Sequence, residues 1–118
     1  MVSISTGSGG EHWSNPRPHP DLVTPVCNFG VTYYRGFVLF SGPYSEVSRT
    51  NLSVLASSDG NGERFDRSIV LVSGPAGYSN IQCGLPGAYD CAVLFSTQTT
   101  RAIDLVRFQS NALLGRGN

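Results

Sequence analysis

The chain has 118 residues, of which 40% are hydrophobic, enough apolar content for one ordinary domain with a core of its own. Eight basic residues balance eight acidic ones, and every basic residue is an arginine. That balance excludes a nucleic acid or an anionic membrane held by a broad basic field, so an arginine that matters here acts singly, by geometry.

Residues Met1 to Gly10 are rich in serine and glycine, with no basic start and no apolar stretch, and do not read as a secretory signal. No apolar run approaches the roughly 18–20 residues of a membrane span. The sequence thus carries no readable compartment address. Trp13 to Pro25 holds four of the seven prolines and reads as a long loop or crossover. From there on the apolar runs are short, rich in Val, Tyr, Phe, Ile and Leu, and bounded by Gly, Pro, Asn or Ser. This is the strand signature, and the expected class is all-β. Strands are expected over Phe29 to Tyr34, Phe37 to Ser41, Asn51 to Ser57, Ser68 to Ser73, Ser79 to Cys83, Cys91 to Ser96 and Ala102 to Phe108. Arg35-Gly36 joins the first two as a tight hairpin, glycine supplying the positive φ. Cys27, Cys83 and Cys91 are an odd number, against a full disulfide framework; buried free thiols are the expectation, with a Cys83–Cys91 bridge across a hairpin left open.

An internal repeat runs through the chain. Ser5-Thr6-Gly7-Ser8-Gly9-Gly10-Glu11-His12-Trp13 returns at an offset of 52 as Ser57-Ser58-Asp59-Gly60-Asn61-Gly62-Glu63-Arg64-Phe65. A period near 50 with about four strands per unit is what a propeller blade gives. Both copies resemble the sialidase Asp-box, Ser-x-Asp-x-Gly-x-Thr-Trp, a hairpin turn tied by its aspartate and closed by an aromatic plug. They depart from it by one extra residue and a replaced threonine, and only the second copy keeps the aspartate.

An ordered set of motifs carries the same resemblance. Leu39-Phe40-Ser41-Gly42-Pro43 is followed by Arg49-Thr50-Asn51-Leu52-Ser53-Val54, and then by Gly74-Pro75-Ala76-Gly77-Tyr78-Ser79. Exo-α-sialidases show, in this order, a Leu-Phe-Ser-Asn-Pro run, an Arg-x-Asn-Leu-Thr-Val strand, an Asp-box and a Gly-Pro-x-x-Tyr-Ser turn. The chain is therefore similar to the C-terminal part of that family over roughly Ser5 to Phe108. The resemblance implies about two blades of a sialidase-type β-propeller over residues 1–118, an incomplete ring whose preceding blades are missing, since propellers need about four to eight.

The substrate implied is a glycan ending in sialic acid. Its carboxylate sits on the carbon that becomes electron-poor in the transition state, which calls for a permanent, planar cation. By resemblance Arg49 is one member of a carboxylate clamp of three arginines, and Tyr78 is the nucleophile, a neutral hydroxyl that the substrate's charge does not repel. A tyrosine hydroxyl ordinarily titrates near 10, so it needs a neighbouring base. In the family this is a glutamate on an earlier blade. Glu11 and Glu63 sit in the Asp-box-like turns and Glu46 in a loop before Arg49, so none fills that place. Ser96 stands where the family has a glutamate that orients the first clamp arginine. No cofactor follows from this chemistry, and no nucleic-acid partner.

The remaining features read as structural. Asn51-Leu52-Ser53 matches a glycosylation sequon but reads as the strand motif. Gly74 to Gly77 lacks the ending of a phosphate loop. His12 and His19 have no cysteine or carboxylate at ligand spacing and are expected to face solvent. Trp13 and Phe65 are expected to plug their hairpins. Two alternatives to an active hydrolase stay open: an inactive sialic-acid-binding or structural propeller remnant, and a small β-sandwich interaction domain. Family members occur in lysosomes, cytosol, at membranes and outside cells, so the compartment stays open too.

Overall fold

The structure, a computed structural model, describes residues 1–5, 7, 9–97 and 102–115. It is all-β, as expected, with two antiparallel sheets. β1 (Gly30–Tyr34), β2 (Phe37–Pro43), β3 (Thr50–Ser57) and β4 (Arg67–Pro75) form the first, each strand pairing with the next. β5 (Ser79–Cys83), β6 (Cys91–Ser96) and β7 (Ile103–Phe108) form the second in the same manner, followed by the short helix α1 (Asn111–Leu114). Arg35 (φ 54°) and Gly36 (φ 83°) are both left-handed, the two-residue turn whose twist suits a hairpin.

β3 is the centre of the first sheet and is buried from Leu52 to Ser57 on both faces. Leu52, Val54 and Ala56 join Leu39, Ile81, Val93 and Phe95 in one core between the sheets. By alternation Leu55 and its register partner Phe40 lie on the other face. There Phe40 packs its ring against Phe29, 5.0 Å between centroids, and Phe65, 6.3 Å. The proline-rich segment before β1 covers this face. His19 meets Phe65 edge-on at 5.2 Å and accepts the Asp21 N–H at Nδ1, so its Nε2–H donates to the Gly62 carbonyl at 2.8 Å. His19 is thus partly buried rather than solvent-facing, because the ring is a two-ended spacer between the proline-rich segment and the β3–β4 loop.

The sheets come closest where β1 and β2 meet β5. The Ser79 hydroxyl donates to the Ser41 carbonyl at 2.9 Å, and the Ser41 hydroxyl donates to Ser79 Oγ at 3.0 Å, so both buried protons are placed. Gly30 lies in the same seam. A Cβ there would stand 2.7 Å from the Ile81 nitrogen and 2.8 Å from the Asn80 Cα, both backbone atoms that cannot step aside.

A second tie sits at the other end of β1. Asp90 accepts the Ser110 N–H (2.8 Å), the Ser110 hydroxyl (2.7 Å) and the Tyr34 hydroxyl (3.0 Å). Arg35 reaches Ser110 Oγ and Asn111 Oδ1, both at 2.9 Å, while Arg67 donates to the Leu114 carbonyl at 2.6 Å. α1 is thereby fastened to the first sheet, with Leu113 and Leu114 buried. Beside this network Cys83 and Cys91, register partners on β5 and β6, form a disulfide. The expectation of free thiols gives way here: the pair stands 4.1 Å apart at Cα, within bonding reach. Cys27 is a free thiol, half-buried rather than buried.

The two repeat copies share one hydrogen bond. Ser5 Oγ accepts the Gly10 N–H and Ser57 Oγ the Gly62 N–H, each at 3.1 Å. Thr6 and Ser8 of the first copy lie outside the described residues. The second copy forms the β3–β4 loop: Asp59 accepts the Ser57 hydroxyl and the N–H groups of Asn61, Gly62 and Arg64. Phe65 packs inward, but Trp13 does not plug a hairpin. It is 63% exposed and folds back on its own turn through an indole bond to the Gly10 carbonyl. Among the described residues the first copy is flanked by a single antiparallel bridge, Val2 with Arg17, where the second lies between the paired strands β3 and β4.

Two predictions follow from these ties. Gly30→Ala lowers stability by about 2–3 kcal/mol in denaturant titrations, as overpacking against backbone should; a variant as stable as the parent would contradict the seam. The carboxylates give the second. Hydrogen bonds from the Ser57 hydroxyl and then the Asn61 N–H pull Asp59 down to about 2. The Arg64 side chain and Phe65 N–H lower Asp21, and the Ser58 hydroxyl and N–H lower Asp66. Burial raises Asp90, yet the bonds from Ser110 and Tyr34 outweigh it and leave this carboxyl below its usual value. All four are depressed in the folded state, so their stabilisation is whole above the ordinary carboxylate pKa of about 4 and is lost as the pH falls through each lowered value, for Asp59 about 2. Denaturation midpoints measured from pH 6 to 2 should fall within that window, and a flat profile would refute the assignment.

Candidate functional site

The two residues singled out from the sequence, Arg49 and Tyr78, lie 29 positions apart, one just before β3 and the other just before β5. Irregular pairing brings them together. Along β3 and β4, Thr50 faces Pro75, Leu52 faces Val72, and Ser53 faces Val70, so β4 contains an extra residue at each of two successive steps. Such bulges bend a strand and strengthen its twist. The chain leaving β4 then passes Arg49, whose carbonyl accepts the Ala76 N–H at 2.8 Å, and crosses to the second sheet.

Ser96 fixes the arriving turn. Its carbonyl accepts the Gly77 N–H (2.8 Å), its N–H donates to the Tyr78 carbonyl (2.9 Å), and its hydroxyl accepts the Tyr78 N–H (3.0 Å). The Arg49 guanidinium carbon stands 5.1 Å from the centroid of the Tyr78 ring, a cation–π contact. One Arg49 nitrogen also donates to the Val26 carbonyl at 2.9 Å. The rest of the guanidinium fork has no hydrogen-bond partner among the described residues. It can therefore offer N–H groups to a planar anion. Cys27 lies close by; burial raises its thiol pKa, with the Arg49 charge opposing. That places it among the less reactive thiols.

Tyr78 is 51% exposed and borders a groove of about 550 Å³ that runs between β1 and the outer face of β5 and β6. Phe29, Val31, Leu94 and Ile103 give it apolar walls, and Asn28, Asn80 and Ser96 give it polar points. None of its described lining residues is charged. Among the described residues the Tyr78 hydroxyl has no hydrogen-bond partner, so no base is in place to take its proton. Glu46 is exposed in the loop between β2 and β3, and Glu11 and Glu63 are exposed in the two repeat turns.

Sequence reasoning missed the carbonyl of Val26 and the amides of Asn28 and Asn80. A backbone acceptor leaves no trace in residue type, and Asn80 could have been found only as a polar residue alternating with Ser79 and Ile81 on β5. No family model matches the chain, and no curated protein is similar to it.

Ser96→Ala isolates the hydroxyl that holds Tyr78. The variant should lose about 1 kcal/mol and expose the Tyr78 amide to faster hydrogen exchange, while the two backbone bonds remain. Unchanged exchange at Tyr78 would show that the hydroxyl contributes nothing to the turn.

Proposed function

We propose that this chain is the C-terminal part of an exo-α-sialidase-like glycoside hydrolase acting on terminal sialic acid of glycoproteins, gangliosides or oligosaccharides. On this reading the two antiparallel sheets are blades of a β-propeller, and the remaining blades supply the other clamp arginines, the base and the acid. Tyr78 attacks the anomeric carbon and Arg49 holds the substrate carboxylate. The observation that carries the reading is the contact between Arg49 and Tyr78. A carboxylate grip and a nucleophile for the adjacent carbon must lie within one sugar's reach, and these residues touch although separated in sequence. The meander of consecutive antiparallel strands and the shared serine hydrogen bond of the two repeat copies support the blade reading.

A second reading, a sialic-acid-binding propeller remnant without catalysis, is favoured by two observations. No described carboxylate borders the groove, and Ser96 uses its hydroxyl to hold the backbone of Tyr78, in a place where the resembling family has a glutamate.

Titration of the purified chain with methyl α-sialoside, followed by NMR, tests both. Binding should move the Arg49 and Tyr78 signals, and Arg49→Ala should weaken it about tenfold or more, the usual worth of a charge-assisted hydrogen bond pair. With a fluorogenic sialoside the chain alone should give no turnover. No shift at either residue would remove the support for a sialoside ligand, and turnover that disappears in Tyr78→Phe would show that no further blade is needed.

A further inference from the structure

Two non-glycine residues among the described ones have a left-handed backbone, Arg35 and Asn51. The hairpin turn accounts for Arg35. Asn51 is different, because at φ 60° it stands inside β3, where an extended conformation is the rule. Asparagine is one of the few residues that visit this region, and the cost of doing so persists only where the surroundings enforce it.

The surroundings act on its backbone. The Asn51 carbonyl accepts the Tyr44 N–H at 2.9 Å and the Ser53 hydroxyl at 3.0 Å, while its side-chain amide has no hydrogen bond among the described residues. What the position requires of asparagine is therefore the left-handed conformation and not the amide. The same place is where the register with β4 slips, between Thr50 and Leu52 and again between Leu52 and Ser53. A left-handed residue ends the straight run of a strand, so the direction in which Thr50 and Arg49 leave β3 is decided at Asn51.

The geometry points to Asn51 as a positioning residue that aims the Arg49 guanidinium at the Tyr78 ring and at the anion to be held there. The role of that anion rests on the reading of Arg49 given above; the aiming does not. An extended residue at 51 would carry the strand on without the turn and release the contact, whereas glycine, which adopts positive φ freely, keeps it.

The experiment compares Asn51→Gly with Asn51→Val. The first readout is the ring-current shift that Tyr78 imposes on the Arg49 side-chain protons, referenced to Tyr78→Leu; the second is the Kd for methyl α-sialoside. Asn51→Gly should keep the shift and bind within about twofold of the parent. Asn51→Val should lose the shift and bind at least about tenfold more weakly. If the valine variant does not fold, Asn51→Ala, which carries a smaller penalty at positive φ, is judged in its place. A valine or alanine variant with the parent's shift overturns the proposal. So does a glycine variant that loses the shift, since the amide would then be what matters. If the shifts behave as expected but the parent itself does not bind the sialoside, the positioning role stands and the sialic acid reading fails.

Discussion

The close approach of two backbones at Gly30 governs how the rest of the molecule meets. Sheets that pack through side chains stand about 10 Å apart. At the seam there is no side chain on β1, and the Cβ position of Gly30 is taken by the Ile81 nitrogen and the Asn80 Cα. The paired hydroxyls of Ser41 and Ser79 then bridge the sheets with short polar bonds instead of a layer of hydrocarbon. Ser79 is held against β2, so Tyr78, one residue earlier, is delivered to the edge of the first sheet where Arg49 emerges. The contact between the two is thus downstream of a glycine that touches neither.

A meander is cheap to build, because each strand pairs with its sequence neighbour and each loop closes over a short distance. The second interface is the expensive one, since it must register two sheets that share no strand. It is secured at two points: the Gly30 seam, and the Asp90 network with its Tyr34, Ser110 and Arg35 partners. The Cys83–Cys91 bridge adjoins the latter and holds the base of the loop that presents Asp90. The Asp90 carboxylate satisfies three donors at once, which is how a half-buried charge can be kept without a cationic partner of its own.

All seven strands were legible in the sequence, because β-branched and aromatic runs bounded by Gly, Pro, Asn and Ser report local preference, and local preference decides a meander. Their ends were less so: β4 extends from Arg67 to Pro75 where Ser68 to Ser73 was expected, because Arg67 pairs with Ala56 and Pro75 with Thr50 beyond the apolar run. The repeat was legible as a pattern of residues, while the hydrogen bond that its two serines share appears only in the structure. What could not be read off the chain are facts about pairs distant in sequence. His19 looked solvent-facing between two prolines, yet its partners are Phe65 and Gly62. Trp13 looked like Phe65 because they occupy the same place in the repeat, but the second copy lies between the paired strands β3 and β4 and the first is enclosed by a single bridge of Val2 with Arg17. Cysteine spacing left the bridge undecided, and only the β5–β6 register, which sets Cys83 opposite Cys91, decides it.

The magnitudes at Arg49 indicate what the arrangement is suited to. A cation–π contact at an exposed site contributes about 0.5–1 kcal/mol, while hydrogen bonds to a charged group contribute about 1.5–3 kcal/mol each. The tyrosine ring therefore orients the guanidinium without competing with a carboxylate for its N–H fork. Together with the bond to the Val26 carbonyl, it reduces the rotamer freedom that a free arginine would lose on binding. Tyr78 is in the opposite condition. Its backbone is bound on both sides by Ser96, but among the described residues nothing receives the hydroxyl proton, and nucleophilic attack requires that it be taken. On the sialidase-like reading proposed above, these elements would prepare anion recognition, and bond cleavage would need a carboxylate that the described residues do not bring to the groove.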